Sequence, residues 1–218
     1  MTGPSIASLE AVAGSVSRET FLRLVAFQDL FLKWSARINL AAPSTLTDIW
    51  KRHILDSAQL VGLAPEARHW LDLGSGGGFP GAVIAIMLRD NPLARIDLVE
   101  SNRKKAAFLQ SALGPLGSHV HIHPSRIEAL YGAFPIPEVV TARALAPLPL
   151  LLKLAAPWLT AGARGLFHKG RDYRREVEES AAEWSFDLIE RPSRMDPEGV
   201  VLDIRNLKAR HQDRPSTS

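Results

Sequence analysis

The stretch Leu71–Val83, LDLGSGGGFPGAV, holds five of the chain's fifteen glycines, all between Gly74 and Gly81. A short apolar run precedes the glycines and another follows, the pattern of a strand turning into a helix. Glycine loses more conformational freedom on folding than any other residue, so this density is costly unless the backbone must do something a side chain would prevent. One or two glycines suffice for a turn alone. The spacing therefore points to a ligand lying against bare main chain.

Working outward, HWLDL (69–73), ARIDLVE (94–100), HVHIH (119–123), EVVTAR (138–143) and RGLFH (164–168) read as short strands. Helical stretches near 81–89, 103–113 and 147–159 separate most of them. Such alternation predicts right-handed crossovers and a mostly parallel sheet with helices on both faces. After a charged helix over 172–183, FDLIER (186–191) and GVVLDIR (199–205) read as two further strands. Their short polar connection, PSRMDPEG, predicts an antiparallel C-terminal hairpin and a seven-stranded sheet in all.

Upstream, Phe21, Leu24, Phe27, Phe31, Trp34 and Ile38 recur every three to four residues and predict an amphipathic helix over 18–40. Thr47 or Asp48 caps the next helix, which runs to Leu60 with Ile49, Ile54 and Leu55 as core candidates. A short helix lies near 7–13. The chain divides into a helical N-terminal extension (1–66), an α/β domain (67–207) and a disordered tail (208–218).

A hydrophobic content of 46% and a charged content of 22% suit a globular chain of 218 residues. The sequence has no cysteine, which excludes disulfides, thiolate metal sites and cysteine nucleophiles and fits a reducing compartment. The N-terminus lacks the pattern of a signal peptide, and Pro147, Pro149, Lys153 and Pro157 interrupt the apolar stretch 144–160. The expectation is a cytoplasmic, monomeric protein away from membranes. The net charge of +3 is spread along the chain without a basic arm, so a nucleic acid would be gripped by a patch assembled on folding. Arg37, Lys51, Arg52, Arg103, Lys104, Lys105, Arg171, Arg174 and Arg175 form such a rim or are solvated helix faces; Arg103–Lys105 is the best cluster.

The glycine spacing narrows the ligand. Gly76, Gly78 and Gly81 fit the dinucleotide pattern G-x-G-x-x-G, with Glu100 about 20 residues on. Gly74, Gly76 and Gly78 also spell G-x-G-x-G, preceded by Asp72 as in class I methyltransferases. Nearly 70 residues precede this strand, and too few follow it for a dehydrogenase substrate domain. Both details favour S-adenosylmethionine over NAD(P) and an oxidoreductase. Glu100 ends a predicted strand, aimed at ribose hydroxyls in the crevice, where a charge-assisted bond contributes roughly 1.5–3 kcal/mol. Ser125–Glu128 follow the third strand, where an adenine ring packs in this fold or an ordinary helix begins.

DLGSGGGFPG, with RINL (37–40), RHILDS (52–57), SRIEAL (125–130), TARA (141–144) and HKG (168–170), resembles one family. It is the bacterial 16S ribosomal RNA guanine-N7 methyltransferases, the glucose-inhibited division B family, and the likeness runs from Phe21 to Arg205. The resemblance implies a Rossmann-like class I methyltransferase fold with an N-terminal helical extension, S-adenosylmethionine as cofactor, and one guanine of small-subunit ribosomal RNA or the 30S particle as target. Gly74 and Phe79 match the family's cofactor-loop positions, Ile127 and Glu128 its adenine-side pair, and Arg143 the arginine of its SRA motif. Asn39, His53 and Asp56 match polar positions of the helical part, and Lys169 the late lysine before glycine. Glu198-Gly199-Val200 departs from the family, which often has a basic residue there.

The chemistry agrees. Guanine nitrogen 7 carries a lone pair and no proton, so transfer needs alignment rather than a base, and orientation supplies roughly 7–11 kcal/mol of such a barrier. The Asn/Asp-Pro-Pro-aromatic motif of exocyclic amine methyltransferases is missing; TARALAP (141–147) ends the fourth strand instead. Arg143 then faces the cofactor carboxylate, the base's oxygen 6 or a phosphate. His53 and Asp56 share a helix face and serve either RNA or a bond joining the helical part to the sheet. Asn39 is an RNA contact or a helix C-cap, and Lys169 a site group or a solvated loop lysine. The rival activity is methylation of another RNA or a small molecule.

Overall fold

Strand β1 (His69–Leu73) is buried on both faces from Trp70 to Leu73, as a central parallel strand is. Parallel neighbours flank it: β2 (Arg95–Val99) and β3 (Val120–His123) on one side, β4 (Val139–Arg143) and β5 (Arg164–Lys169) on the other. Antiparallel β7 (Val200–Ala209) then pairs with β5, and β6 (Trp184–Pro192) closes the edge. The order is β3-β2-β1-β4-β5-β7-β6, the seven-stranded sheet with a C-terminal hairpin that the alternation predicts. The computed structural model describes residues 3–41, 43–117 and 119–210.

Helices α1 (Ile6–Ala13), α2 (Arg18–Ser35), α3 (Asp56–Leu63), α4 (Gly81–Met87) and α5 (Arg103–Leu116) cover one face of the sheet. Helices α6 (Leu148–Leu159) and α7 (Tyr173–Ser180) cover the other, where Leu151, Leu152 and Trp158 pack on Leu71, Val140 and Phe167. The apolar stretch 144–160 supplies only the 12 residues of α6, and among the described residues no helix is long and apolar enough to cross a membrane.

The buried carboxylates on the sheet are satisfied. Asp97 accepts from His123, His69 and Arg95; burial alone would raise its pKa, but these bonds outweigh it and hold the carboxyl well below the usual range. Asp203 takes a bidentate pair from Arg164 at 2.7 Å. These networks belong to the fold.

Three elements differ from the sequence reading. The helix over 18–40 ends at Ser35 with Ala36 as its C-cap, so Asn39 is not a cap; Ile38 still packs on the core beyond the helix. The single helix from Thr47 or Asp48 to Leu60 is three pieces: a 3-10 turn over Pro43–Asp48, a π-helical turn over Trp50–Leu55, then α3. Wide turns of this kind occur often at functional sites, and this one carries His53. Strand β7 takes in Lys208 and Ala209, which the reading gave to the tail, while residues 211–218 lie outside the described residues.

The helical extension packs on the glycine loop itself. Ser17 caps α2 by accepting from Thr20 N–H, and the stripe Leu24, Phe27 and Phe31 is fully buried. Phe27 and Phe31 meet the ring of Phe79 at centroid distances of 5.7 and 5.0 Å. A Cβ on Gly77 would lie 2.6 Å from the Phe31 ring and 3.0 Å from the Leu40 carbonyl oxygen. Gly77→Ala is therefore expected to destabilise the fold by about 1–3 kcal/mol. A thermal melt checks this; an unchanged midpoint would show that α2 does not seat on the loop.

Candidate active site

The loop after β1 is tied down by its own sequence. Asp72 is 1% exposed, and its carboxylate accepts from Gly81 N–H at 3.1 Å and the Thr141 hydroxyl at 2.8 Å. Burial outweighs these bonds and raises the Asp72 pKa to about 6. Ser75 N–H reaches the Val99 carbonyl, and Gly76 N–H donates to Glu100 Oε2 at 2.8 Å. The other oxygen of Glu100 accepts from Asn102 N–H, so one carboxylate joins the glycine loop to the start of α5.

The five glycines serve different ends. A Cβ on Gly78 would strike Ala82 at 2.7 Å, and one on Gly81 would strike Asp72 Oδ2 at 2.5 Å as well as Leu98. Together with Gly77, these positions admit no side chain because the protein itself fills the space. Gly74 and Gly76 have φ of +67° and +54°, where side chains are strained. A Cβ on Gly76 would meet nothing nearer than the Gly74 carbonyl at 3.7 Å. Open space lies in front of Gly76 alone among the five.

Beside it is a cleft of about 280 Å³ lined by Gly74, Glu100, Lys105, Ile127, Glu128 and Leu145, among others. Gly74, Glu100, Ile127 and Glu128, which the sequence reading assigned to S-adenosylmethionine, thus share one wall. With the open backbone of Gly76 beside Glu100 they fit that cofactor: an acid for ribose hydroxyls and an apolar surface at Ile127 for adenine. Three assignments need correction: the space before Gly78 is filled by Ala82, Phe27 and Leu109, and two side chains point elsewhere. The Asp72 carboxylate lies beneath the loop and positions it. The Phe79 ring turns away from the cleft, buried between Phe27, Phe31 and His53.

A second cleft, also about 280 Å³, opens at the carboxyl ends of β4 and β5. Arg143, Lys169, His168, Asp56, Glu176 and Asp196 are among its lining residues, and it shares Ala144 with the first cleft. Ala144 has φ +52°, a strained value for a residue with a side chain, at the point where the clefts meet. Arg143 donates to the Arg52 carbonyl at 2.7 Å and lies 3.5 Å from Asp56 Oδ2; its Nη1 has no hydrogen-bond partner. Burial lowers its pKa, yet a guanidinium stays charged. Lys169 donates to the Ala146 carbonyl at 2.8 Å and pairs with Glu176 at 2.5 Å, so it is not a solvated loop lysine.

Asp56 is the hub of this cleft. Its side chain accepts from Gln59 and from the Ser193 hydroxyl at 2.9 Å, and its carbonyl accepts from His168 Nε2 at 2.9 Å. Burial lowers the His168 pKa, which keeps the ring neutral with the proton on Nε2. The structural alternative for Asp56 therefore holds: it joins the helical extension to the sheet. His53 stacks on Phe79 at 4.8 Å, buried, with neither ring nitrogen hydrogen-bonded. Asn39 is exposed and, like His53, lines neither cleft. The sequence reading missed His168, Glu176, Ser193 and Asp196; the Asp-Pro within PSRMDPEG was the available signal for a shaped turn. A larger concavity of about 590 Å³ beside β3 and α5 has no carboxylate, lysine or arginine among the described residues that line it.

Fold and clefts together define a class I, Rossmann-like methyltransferase. The solved structures agree on the fold: an O-methyltransferase from Bacillus cereus in complex with SAH is 15% identical with a TM-score of 0.59, covering 90% of this chain and 99% of that one. A TehB-like SAM-dependent methyltransferase from Corynebacterium glutamicum is 10% identical with a TM-score of 0.57, covering 84% and 98%. The chain belongs to the GidB family, rRNA small subunit methyltransferase G, whose model matches residues 21–196. Ribosomal RNA small subunit methyltransferase G of Chelativorans sp. is 62% identical over 208 residues, 95% of this chain and 99% of that protein. The protein of the same name from Brucella anthropi is 57% identical, covering 92% and 94%.

The buried His53 makes the fold acid-sensitive. Burial, helped by the charge of Arg143, lowers its pKa from 6.5 to about 4. Above pH 6.5 the ring is neutral in folded and unfolded chains alike, and its contribution is fully present. As pH falls toward 4 the unfolded chain takes the proton first, and stability on the order of 2–3 kcal/mol is lost. His53→Phe, which keeps the stack on Phe79, is expected to flatten the fall in unfolding free energy between pH 7 and pH 4.5. Equal falls in both proteins would contradict the burial of a neutral ring.

Proposed function

We propose that the protein transfers a methyl group from S-adenosylmethionine to nitrogen 7 of one guanine in small-subunit ribosomal RNA, acting as a cytoplasmic monomer. The observation that carries this is the meeting of the two clefts at Ala144, which sets a charged pocket against the end of a cofactor cleft. The names of the family and of its relatives support the acceptor.

When bound, S-adenosylmethionine supplies an electrophilic methyl on a positively charged sulfur. The chain's part is to bind and align. Glu100 would accept from the ribose, Ile127 and Glu128 would flank the adenine, and Gly76 leaves the backbone bare. Arg143 and Lys169, both cations, take no proton from a base, and nitrogen 7 has none to give. A base paired within folded RNA reaches such a pocket only looped out or flipped, at a cost of a few kcal/mol. Arg103, Lys104 and Lys105 at the start of α5, with Arg37, Lys51 and Arg52, have no carboxylate partner among the described residues and form the phosphate-gripping rim. Arg171, Arg174 and Arg175 leave it, because they pair with Glu198, Glu190 and Glu179.

Labelled methyl is expected to pass from S-adenosylmethionine to small subunits lacking the modification, with the product recovered as 7-methylguanosine at a single position. Label in another nucleoside, or none, would overturn the acceptor. Arg143→Gln, which keeps a donor toward Asp56, is expected to bind S-adenosylmethionine within a few-fold of the parent and to lose roughly 10²-fold in turnover. Normal turnover would remove Arg143 from the site.

A further inference from the structure

The second cleft is uneven in charge. Arg143 and Lys169 are each matched by a carboxylate, Asp56 and Glu176. Asp196, on the connection between β6 and β7, is not matched. It is exposed, its Oδ1 accepts only Glu198 N–H at 3.0 Å, and no hydrogen bond from a described residue reaches its Oδ2. It lines the same cleft as Arg143, and its charge acts on that guanidinium.

The turn that carries Asp196 is built rather than slack. The Ser193 hydroxyl oxygen accepts from the N–H groups of Met195 and Asp196, both at 3.1 Å, and the same hydroxyl donates to Asp56 Oδ1. Gly199 N–H closes the turn on the Asp196 carbonyl at 3.0 Å. Asp56 therefore anchors both the donor wall at Arg143 and the acceptor rim at Asp196, which fixes their separation.

Guanine presents an acceptor, oxygen 6, beside two donors, N1–H and the exocyclic amine. Adenine presents the reverse, an amine beside a bare N1. A pocket lined by both a cation and a free carboxylate matches guanine and opposes adenine. We propose that Asp196 is the residue that reads the base, accepting from N1–H and the exocyclic amine while oxygen 6 faces Arg143. This rests on the reading of the protein as a guanine-N7 methyltransferase.

The orientation also suits the chemistry. Nitrogen 7 lies on the side of oxygen 6 away from N1, so it turns toward Ala144 and the first cleft. The nitrogen 7 lone pair forms the new N–C bond as the C–S bond breaks, its electron pair passing to sulfur. No proton moves, and the purine takes up the positive charge that the sulfonium loses. A carboxylate on the N1 edge stabilises that developing charge, which matched ion pairs alone would not do.

Inosine tests this, because it keeps oxygen 6, nitrogen 7 and N1–H and lacks the amine. The substrate RNA carries guanosine or inosine at the target, and kcat/KM is measured for the wild type and Asp196→Asn. Asparagine keeps an oxygen for Glu198 N–H, so an unchanged melting midpoint is expected. The wild type should prefer guanosine at least tenfold, since a site built to hydrogen-bond a group rejects the analogue lacking it. The variant should lose most of that preference, falling on inosine RNA, which keeps N1–H, and falling further on guanosine RNA, which also loses the bond to its amine. The same preference in both proteins, or none in the wild type, overturns the assignment. Transfer to neither RNA by the wild type would instead overturn the guanine-N7 reading and this proposal with it.

Discussion

The Asp72 carboxylate, accepting from Gly81 N–H and the Thr141 hydroxyl, ties the end of β1, the first turn of α4 and the middle of β4 to one buried point. Its raised pKa shows that burial outweighs the bonds it receives. The sign follows: this group's contribution to stability is full below pH 3.8 and is lost as pH rises through about 6. At neutral pH the fold thus sustains a charge that opposes it. What that charge secures is geometry, because Gly81 cannot drift from Asp72 without baring a charged group in an apolar core. The glycine loop keeps its shape, and the cleft beside it follows.

Around that point the structure is organised by two further carboxylates with separate duties. Glu100 binds the loop to the start of α5 through Gly76 and Asn102 and still lines the first cleft. Asp56 gathers Arg143, His168, Gln59 and Ser193, so the helical extension, the ends of β4 and β5 and the β6–β7 turn share one partner. The extension is thereby part of the site's frame. Its α2 seats Phe27 and Phe31 on the loop, while α3 supplies Asp56 to the second cleft.

Much of the fold was legible because strand and helix periods differ and the strands are short apolar runs between helices. Gly74, Glu100, Ile127, Glu128, Arg143 and Lys169 were legible from motif and spacing, and each lines a cleft. What sequence reasoning misjudged was direction. The Phe79 side chain points into the helical extension because α2 offers it Phe27 and Phe31, a contact between residues about fifty positions apart that no local pattern reports. Asp72 sits in a motif shared with ligand-binding loops but spends its oxygens on Gly81 and Thr141. Asp196 and Ser193 belong to a turn whose shape depends on Asp56, far away in the chain. The helix ending at Ser35 and the broken segment over 43–63 were lost to the same cause, since packing onto the sheet overrides an apolar period that runs on.

One loop divides its glycines between fold and ligand, with Gly76 on the ligand's side. Calorimetric titration of S-adenosylmethionine into Gly76→Val, beside a melt of the same protein, tests it most directly. The side chain at Gly76 would enter open space, so only the left-handed φ, about 1–2 kcal/mol, should weaken the fold, while affinity falls by more than tenfold. Unchanged affinity in a folded Gly76→Val protein would show that the cofactor does not lie against this loop.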